Sequence, residues 1–144
     1  MAGDLDALRG KIQKYLTHTF SNVTIDQDGD FSLRHGSARV FIRAATRDDA
    51  DWTWVNVWVP VLLGLKETPA LFEYIALHAD DYIFGHLHAV RLDDGITIGL
   101  RHALPGDYLD EDELVRVVAG LLSTADHLDD ELKAQFGGTR FHED

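Results

Sequence analysis

The chain has 144 residues and carries 25 acidic against 13 basic side chains, a formal charge of −12 that opposes binding to nucleic-acid phosphates and to anionic membranes. It has no cysteine, which removes disulfides, thiolate nucleophiles and thiolate-ligated zinc or iron–sulfur centres. Its 45% hydrophobic content, with 7 Phe and 3 Trp, is enough to build the core of one domain over residues 1–144.

The start, Met1-Ala2-Gly3-Asp4, lacks the basic region and apolar run of a secretory leader, so a soluble protein of the cytoplasm is expected. Leu5, Leu8, Ile12, Tyr15, Leu16 and Phe20 recur every three or four residues and share one stripe of a helix over about 4–20. Two short strands are expected at 23–27 and 31–35, joined around Asp28-Gly29, where Gly accepts the positive φ of a two-residue hairpin turn. A third strand, 38–45, sets Arg39, Phe41 and Arg43 against Val40 and Ile42.

The charged loop 47–51 leads to a fourth strand, 52–62. Its odd positions include Val55, Val57, Val59 and Val61; its even positions are Trp52, Trp54, Asn56, Trp58 and Pro60. Both faces are apolar, yet a single antiparallel layer needs only one buried face. Either another helix or loop covers the Trp side, or that side is an interface. Pro60 suits a strand end or sheet edge better than a sheet interior. The apolar stretch 55–65 is far shorter than the ~20 residues of a membrane span.

Thr68-Pro69 opens a second helix, with Leu71, Phe72, Tyr74 and Ile75 on its apolar side. Strands at 82–92 and 96–104 follow, joined by Asp93-Asp94-Gly95. Asp110 and Glu113 then make a capping-box-like start to the last helix. Leu114, Val117, Val118, Leu121, Ala125, Leu128, Leu132 and Phe136 hold one stripe until Gly137-Gly138 stops it. Such a helix spans about 40 Å, so it crosses the whole molecule or bends near Ser123-Thr124. The tail 139–144 is expected to fray. The order α-β-β-β-β-α-β-β-α, with short connections, predicts an α+β fold: a mostly antiparallel sheet with helices on one side.

Histidine is the richest chemical signal. His86 and His88 share one strand face. Pairing Leu92 with Ile96 keeps Val90, Leu92, Ile96, Ile98 and Leu100 together and sets His102 opposite His86. Three imidazoles at one point are the ligand set of a catalytic zinc. No Asp or Glu alternates into that face to orient the rings, so hydrogen-bonded, partly buried histidines are the plainer reading, and no cofactor is assigned. His127 and Glu131, four apart on the last helix, read as an exposed pair. Asp26-Gln27-Asp28-Gly29-Asp30 has the look of a calcium loop, but Gly stands fourth rather than sixth and Ser37 stands where a bidentate Glu is needed. Phosphate-loop, dinucleotide and serine-nucleophile signatures are absent, and Ser37 near His35 carries no dyad.

The opening helix, the strand Trp54-Val55-Asn56-Val57-Trp58-Val59-Pro60 and the segment Phe84-Gly85-His86-Leu87 belong to one pattern. Gly106-Asp107-Tyr108-Leu109, Ala125-Asp126 and the closing Phe136-Gly137-Gly138 continue it. Over nearly the whole chain this pattern resembles the YbjN and type III secretion chaperone-like family, in the manner of its small, acidic actinobacterial members. The resemblance implies an α-β-β-β-α-β-β-α-like fold, often dimeric, that in secretion chaperones holds an extended partner segment on apolar patches. It implies no enzymatic activity. The chain counts one early strand more than that order.

Expected, then, is a non-enzymatic, chaperone-like homodimer with a protein or peptide client. Trp54, Trp58 and Phe41 are the expected contacts, with Arg39 and Arg43 at the rim, and the acidic surface should favour basic clients. Two alternatives stand beside it. One is a metal-binding protein or metalloenzyme using His86, His88 and His102. The other is a structural homodimer subunit whose Trp face its twin covers.

Overall fold

The computed structural model describes residues 3–143. α1 (Leu5–Thr19) begins where the Asp4 carboxylate accepts the Ala7 N–H at 3.0 Å, one of the donors that no helical carbonyl can reach. The strands β1 (Thr24–Ile25), β2 (Phe31–His35), β3 (Ala38–Thr46) and β4 (Thr53–Leu65) follow. Then come α2 (Pro69–His78), β5 (His86–Leu92), β6 (Gly95–Pro105) and α3 (Glu111–Phe136). The strands make one six-stranded sheet in the order β1-β2-β3-β4-β6-β5, every pair antiparallel. This is the α+β architecture expected.

α1 and α3 pack against one face of this sheet. The periodic stripes explain why. Leu8, Ile12 and Leu16 of α1 are buried, as are Leu114, Val117, Val118, Leu121, Ala125, Leu128 and Leu132 of α3. They meet Val40 and Ile42 of β3, Val55, Val57, Val59 and Val61 of β4, and Ile98 and Leu100 of β6. Each fully buried side chain of this size stabilises the fold by about 1.5–3 kcal/mol. α3 runs unbroken through Ser123 and Thr124 as one helix. The Asp110 carboxylate caps its start, and Gly137, at φ 79°, closes its end with its N–H on the Lys133 carbonyl.

Four local expectations change. The β1–β2 hairpin turns through Asp26–Asp30 rather than through two residues. Gly29 sits at φ 82°, and the Asp26 carboxylate accepts the N–H groups of Asp28 and Asp30 at 2.8 and 3.1 Å. β1 is only two residues long, which accounts for the extra early strand. Second, β5 starts at His86, not Tyr82. Gly85 is at φ 82° and gives its N–H to His102 Nδ1, so the chain is turning there instead of pairing.

Third, the β5–β6 register differs by one residue. Leu92 pairs with Gly95 around a two-residue turn, His86 with Arg101 and Leu87 with Leu100. Gly95 is at φ 127°, and a Cβ there would come within 2.7 Å of the Leu65 carbonyl oxygen, so β4 pins the turn in place. The expected register kept Val90 and Leu92 with the isoleucines, but β5 is an edge strand, and both side chains stay exposed on the far face. Because side chains alternate with period two, the one-residue shift sends His102 to the helix side and leaves His86 and His88 on the other.

Fourth, the tail docks rather than frays. Thr139 exchanges backbone hydrogen bonds with Leu63 at 2.8 and 2.9 Å, and the His142 N–H reaches the Ser37 carbonyl at 3.1 Å. Asp144, the last residue of that expectation, lies outside the described residues, as do Met1 and Ala2. Among the described residues no helix is long and apolar enough to cross a membrane.

Candidate functional site

The face of the sheet opposite α1 and α3 is the uncovered one. Strand alternation puts Arg39, Phe41 and Arg43 of β3 there, with Trp54, Asn56, Trp58 and Pro60 of β4 beside them. Val55, Val57, Val59 and Val61 of β4 are sealed in the core while these even ones are only half-buried. Phe41 and Trp58 are cross-strand partners and stack with ring centroids 5.5 Å apart, and the Arg43 guanidinium lies 5.5 Å from the Trp58 ring. Trp54 leans on Trp52 at 5.2 Å, and Trp52 is itself 44% exposed. No helix covers these indoles. The tail reaches this side at one end: Phe141 meets Phe41 edge-on at 5.7 Å, and Arg39 donates to His142 Nε2 at 3.2 Å. All five expected contact residues therefore lie on one face.

Pro60 sits in a central strand, contrary to the edge expected of it, yet the chemical reason for that expectation is respected. The β3–β4 pairing runs only as far as Phe41–Trp58, and the β4–β6 register shifts just after Pro60. Its missing N–H falls where no ladder asks for one.

Beside Trp58 the face deepens into a cleft of about 300 Å³. Trp58, Pro60 and Gly99 form its floor, Arg43 and Arg101 stand over it, and His88 lines the β5 side. Gly99 is required for that arrangement: a Cβ would come within 2.8 Å of the Val59 carbonyl oxygen and 3.1 Å of His88 Cε1. Arg101, Thr97 and Gly99 were not legible as site residues, because the strand that carries them joins the face only through the observed β4–β6 pairing. The one available signal was period-two alternation in β6 between Ile96, Ile98, Leu100 and Thr97, Gly99, Arg101.

The histidines divide. His86 and His88 rings are 6.3 Å apart on the open side, whereas His102 accepts the Gly85 N–H at 2.9 Å and meets Phe84 on the helix side. The sheet stands between them, so the three-imidazole zinc arrangement is not formed. Among the described residues no group of three or more His, Cys, Asp or Glu is placed to hold a metal. Burial lowers the pKa of His88, helped by the charges of His86 and Arg101; burial also lowers that of His102. The folded chain thus resists a proton that the unfolded chain accepts near the usual value of 6.5. Stability is therefore greatest above that value and falls as pH drops through it. Urea unfolding between about pH 7.5 and 5.5 should show this decline, and His88→Gln should flatten it. An unchanged pH slope in that variant would contradict the burial argument.

The remaining sequence signals are structural. Ser37 donates to Asp129 of α3 and not to His35. His127 and Glu131 are both exposed, and the Asp26 carboxylate is engaged by its own hairpin.

Comparison with known families finds that the one described as "T3SS (YopN, CesT) and YbjN peptide-binding chaperone 1", TY-Chap1, matches residues 6–144. No curated protein matches the chain.

Proposed function

The chain belongs to the T3SS and YbjN peptide-binding chaperone family, and from that premise we propose that it is a non-enzymatic module holding an extended client segment on the open face of its sheet. The observation that carries this reading is the row Phe41–Trp58–Trp54, half-exposed, while Val55, Val57, Val59 and Val61 between and beside the indoles on β4 are sealed. Aromatic side chains left in water at the centre of a sheet are costly unless something covers them, and Trp is the residue most enriched at binding hot spots. The many surface carboxylates keep such a patch in solution.

The geometry separates two modes that the sequence had joined. β4 is central, flanked by β3 and β6, and the free edge at β5 lies two strand spacings, about 10 Å, from it. A client strand added to the edge of β5 would not reach Trp58. Face anchoring, with the client lying across the aromatic row, is the mode proposed.

Amide chemical-shift mapping with peptides selected from a random linear library tests this. Shifts should cluster on β3, β4 and β6 residues of the open face. Shifts confined to α1 and α3 would refute the reading. Light scattering over a dilution series, run alongside, tells client binding from burial of the same face in a homodimer.

A further inference from the structure

The composition is strongly acidic, yet the open face gathers arginines. Arg39, Arg43 and Arg101 all stand on it, and Asp30 pairs with Arg43 at 2.9 Å. Arg101 has no carboxylate partner among the described residues; it donates to Asn56 Oδ1 at 3.2 Å. Arg101 is the cross-strand partner of Trp58 on β6, and Arg43 lies over the same indole from β3, so both arginines line the cleft beside it.

The other polar groups of the cleft tell in the same direction. Asn56 has its oxygen engaged by Arg101, which leaves its amide N–H groups as donors. The Thr97 hydroxyl is buried with no partner among the described residues and can donate. No Asp or Glu lines the cleft. A site of about 300 Å³ that offers the Asn56 amide, the Thr97 hydroxyl and the Arg101 guanidinium, with the Asp30-paired Arg43 beside them, complements a negatively charged acceptor. The apolar floor of Trp58 and Pro60 suits a methylene stem.

Resting on the peptide-holding reading above, we infer that this cleft receives an acidic side chain, a Glu or Asp within an extended client segment, against Arg101 and the Thr97 hydroxyl. The client selected is therefore locally acidic, opposite to the basic client that net charge alone suggests. The overall negative field repels acidic chains at long range, so selection depends on seating the carboxylate in the cleft.

The test uses a displayed library of random linear peptides, panned against the full chain and against Arg101→Gln, with Thr97→Val as a second variant. Arg101 is exposed and the Thr97 hydroxyl has no partner among the described residues, so both variants should fold. Peptides captured by the wild type should be enriched in Glu or Asp flanked by apolar residues. Replacing that acid by Gln in a synthetic, amidated peptide should weaken binding about tenfold or more, and Arg101→Gln should erase the difference. Enrichment of Lys and Arg, or equal binding of the Glu and Gln peptides, would overturn the inference and leave the peptide-holding reading standing. Binding that requires a free C-terminal carboxylate would overturn it in favour of a chain-end site. Capture of no peptide at all would defeat both.

Discussion

Replacing Trp54 and Trp58 together by Ala is expected to abolish client capture while the protein stays folded. Both indoles project from the face that the helices do not cover, so their removal leaves the valine side of β4 sealed. An interface Trp at a hot spot contributes about 2 kcal/mol or more, which is roughly 30-fold in affinity for each. The residues are four apart on one strand, about 13 Å, so their effects should nearly add and the pair should cost about a thousandfold. Trp58 should matter more. It stacks on Phe41, carries Arg43 over its ring and lines the cleft, whereas the ring partner of Trp54 is the exposed Trp52. The cost to stability should be modest, about 1 kcal/mol, from the lost ring stacking. Calorimetric titration of one selected peptide, paired with a urea unfolding curve, reads both quantities. Unchanged affinity in a folded double variant would remove the open face from the function.

The second large effect concerns stability and arises at the end of α3. Asp129 is 2% exposed on a helix stripe that is otherwise apolar. Its carboxylate accepts from Ser37 in the β2–β3 turn and faces Arg140 at 3.4 Å from the tail. Arg140 also pairs with Asp130 and Glu143, so one guanidinium ties the tail to two places on the helix and to itself. Arg140→Ala leaves a buried carboxylate with a single hydroxyl partner. Breaking a buried pair from one side costs about 3–5 kcal/mol, but Arg140 is 27% exposed and water reaches it, so about 2 kcal/mol is expected. That is a sizeable part of the 5–15 kcal/mol that holds a typical domain. The urea midpoint should fall accordingly. In Asp129→Asn with Arg140→Ala, the loss should be smaller than the sum of the two single losses, because the charge that needed a partner is gone. Strict additivity would show that the two side chains do not act as a pair.

The tail shows how far local reasoning reaches. Residues 139–143 contain no periodicity and follow two glycines, so nothing within the segment foretells order. Its order comes from Leu63, Ser37, Phe41 and Asp129, positions that the fold brings to it. The buried charge of Asp129 was equally hidden. On the helical stripe it reads as one more polar position, and its partners come from a turn and a tail some distance away along the chain.

Short-range patterns determined the helices, their caps, the strands that alternate, the α+β class and the one strand greasy on both sides. Such features depend on residues a few positions apart, whose steric and hydrogen-bonding preferences act within a single element. What only the tertiary structure decided was which side chains share a place. Gly95 against Leu65 set the hairpin register, and that single step parted His102 from His86 and His88. The pairing of β4 with β6 brought Arg101 beside Trp58, and the wrap of the tail put Arg140 against Asp129. These are contacts between distant parts of the chain, where a shift of one residue reverses the face, and so the chemistry, that a side chain presents.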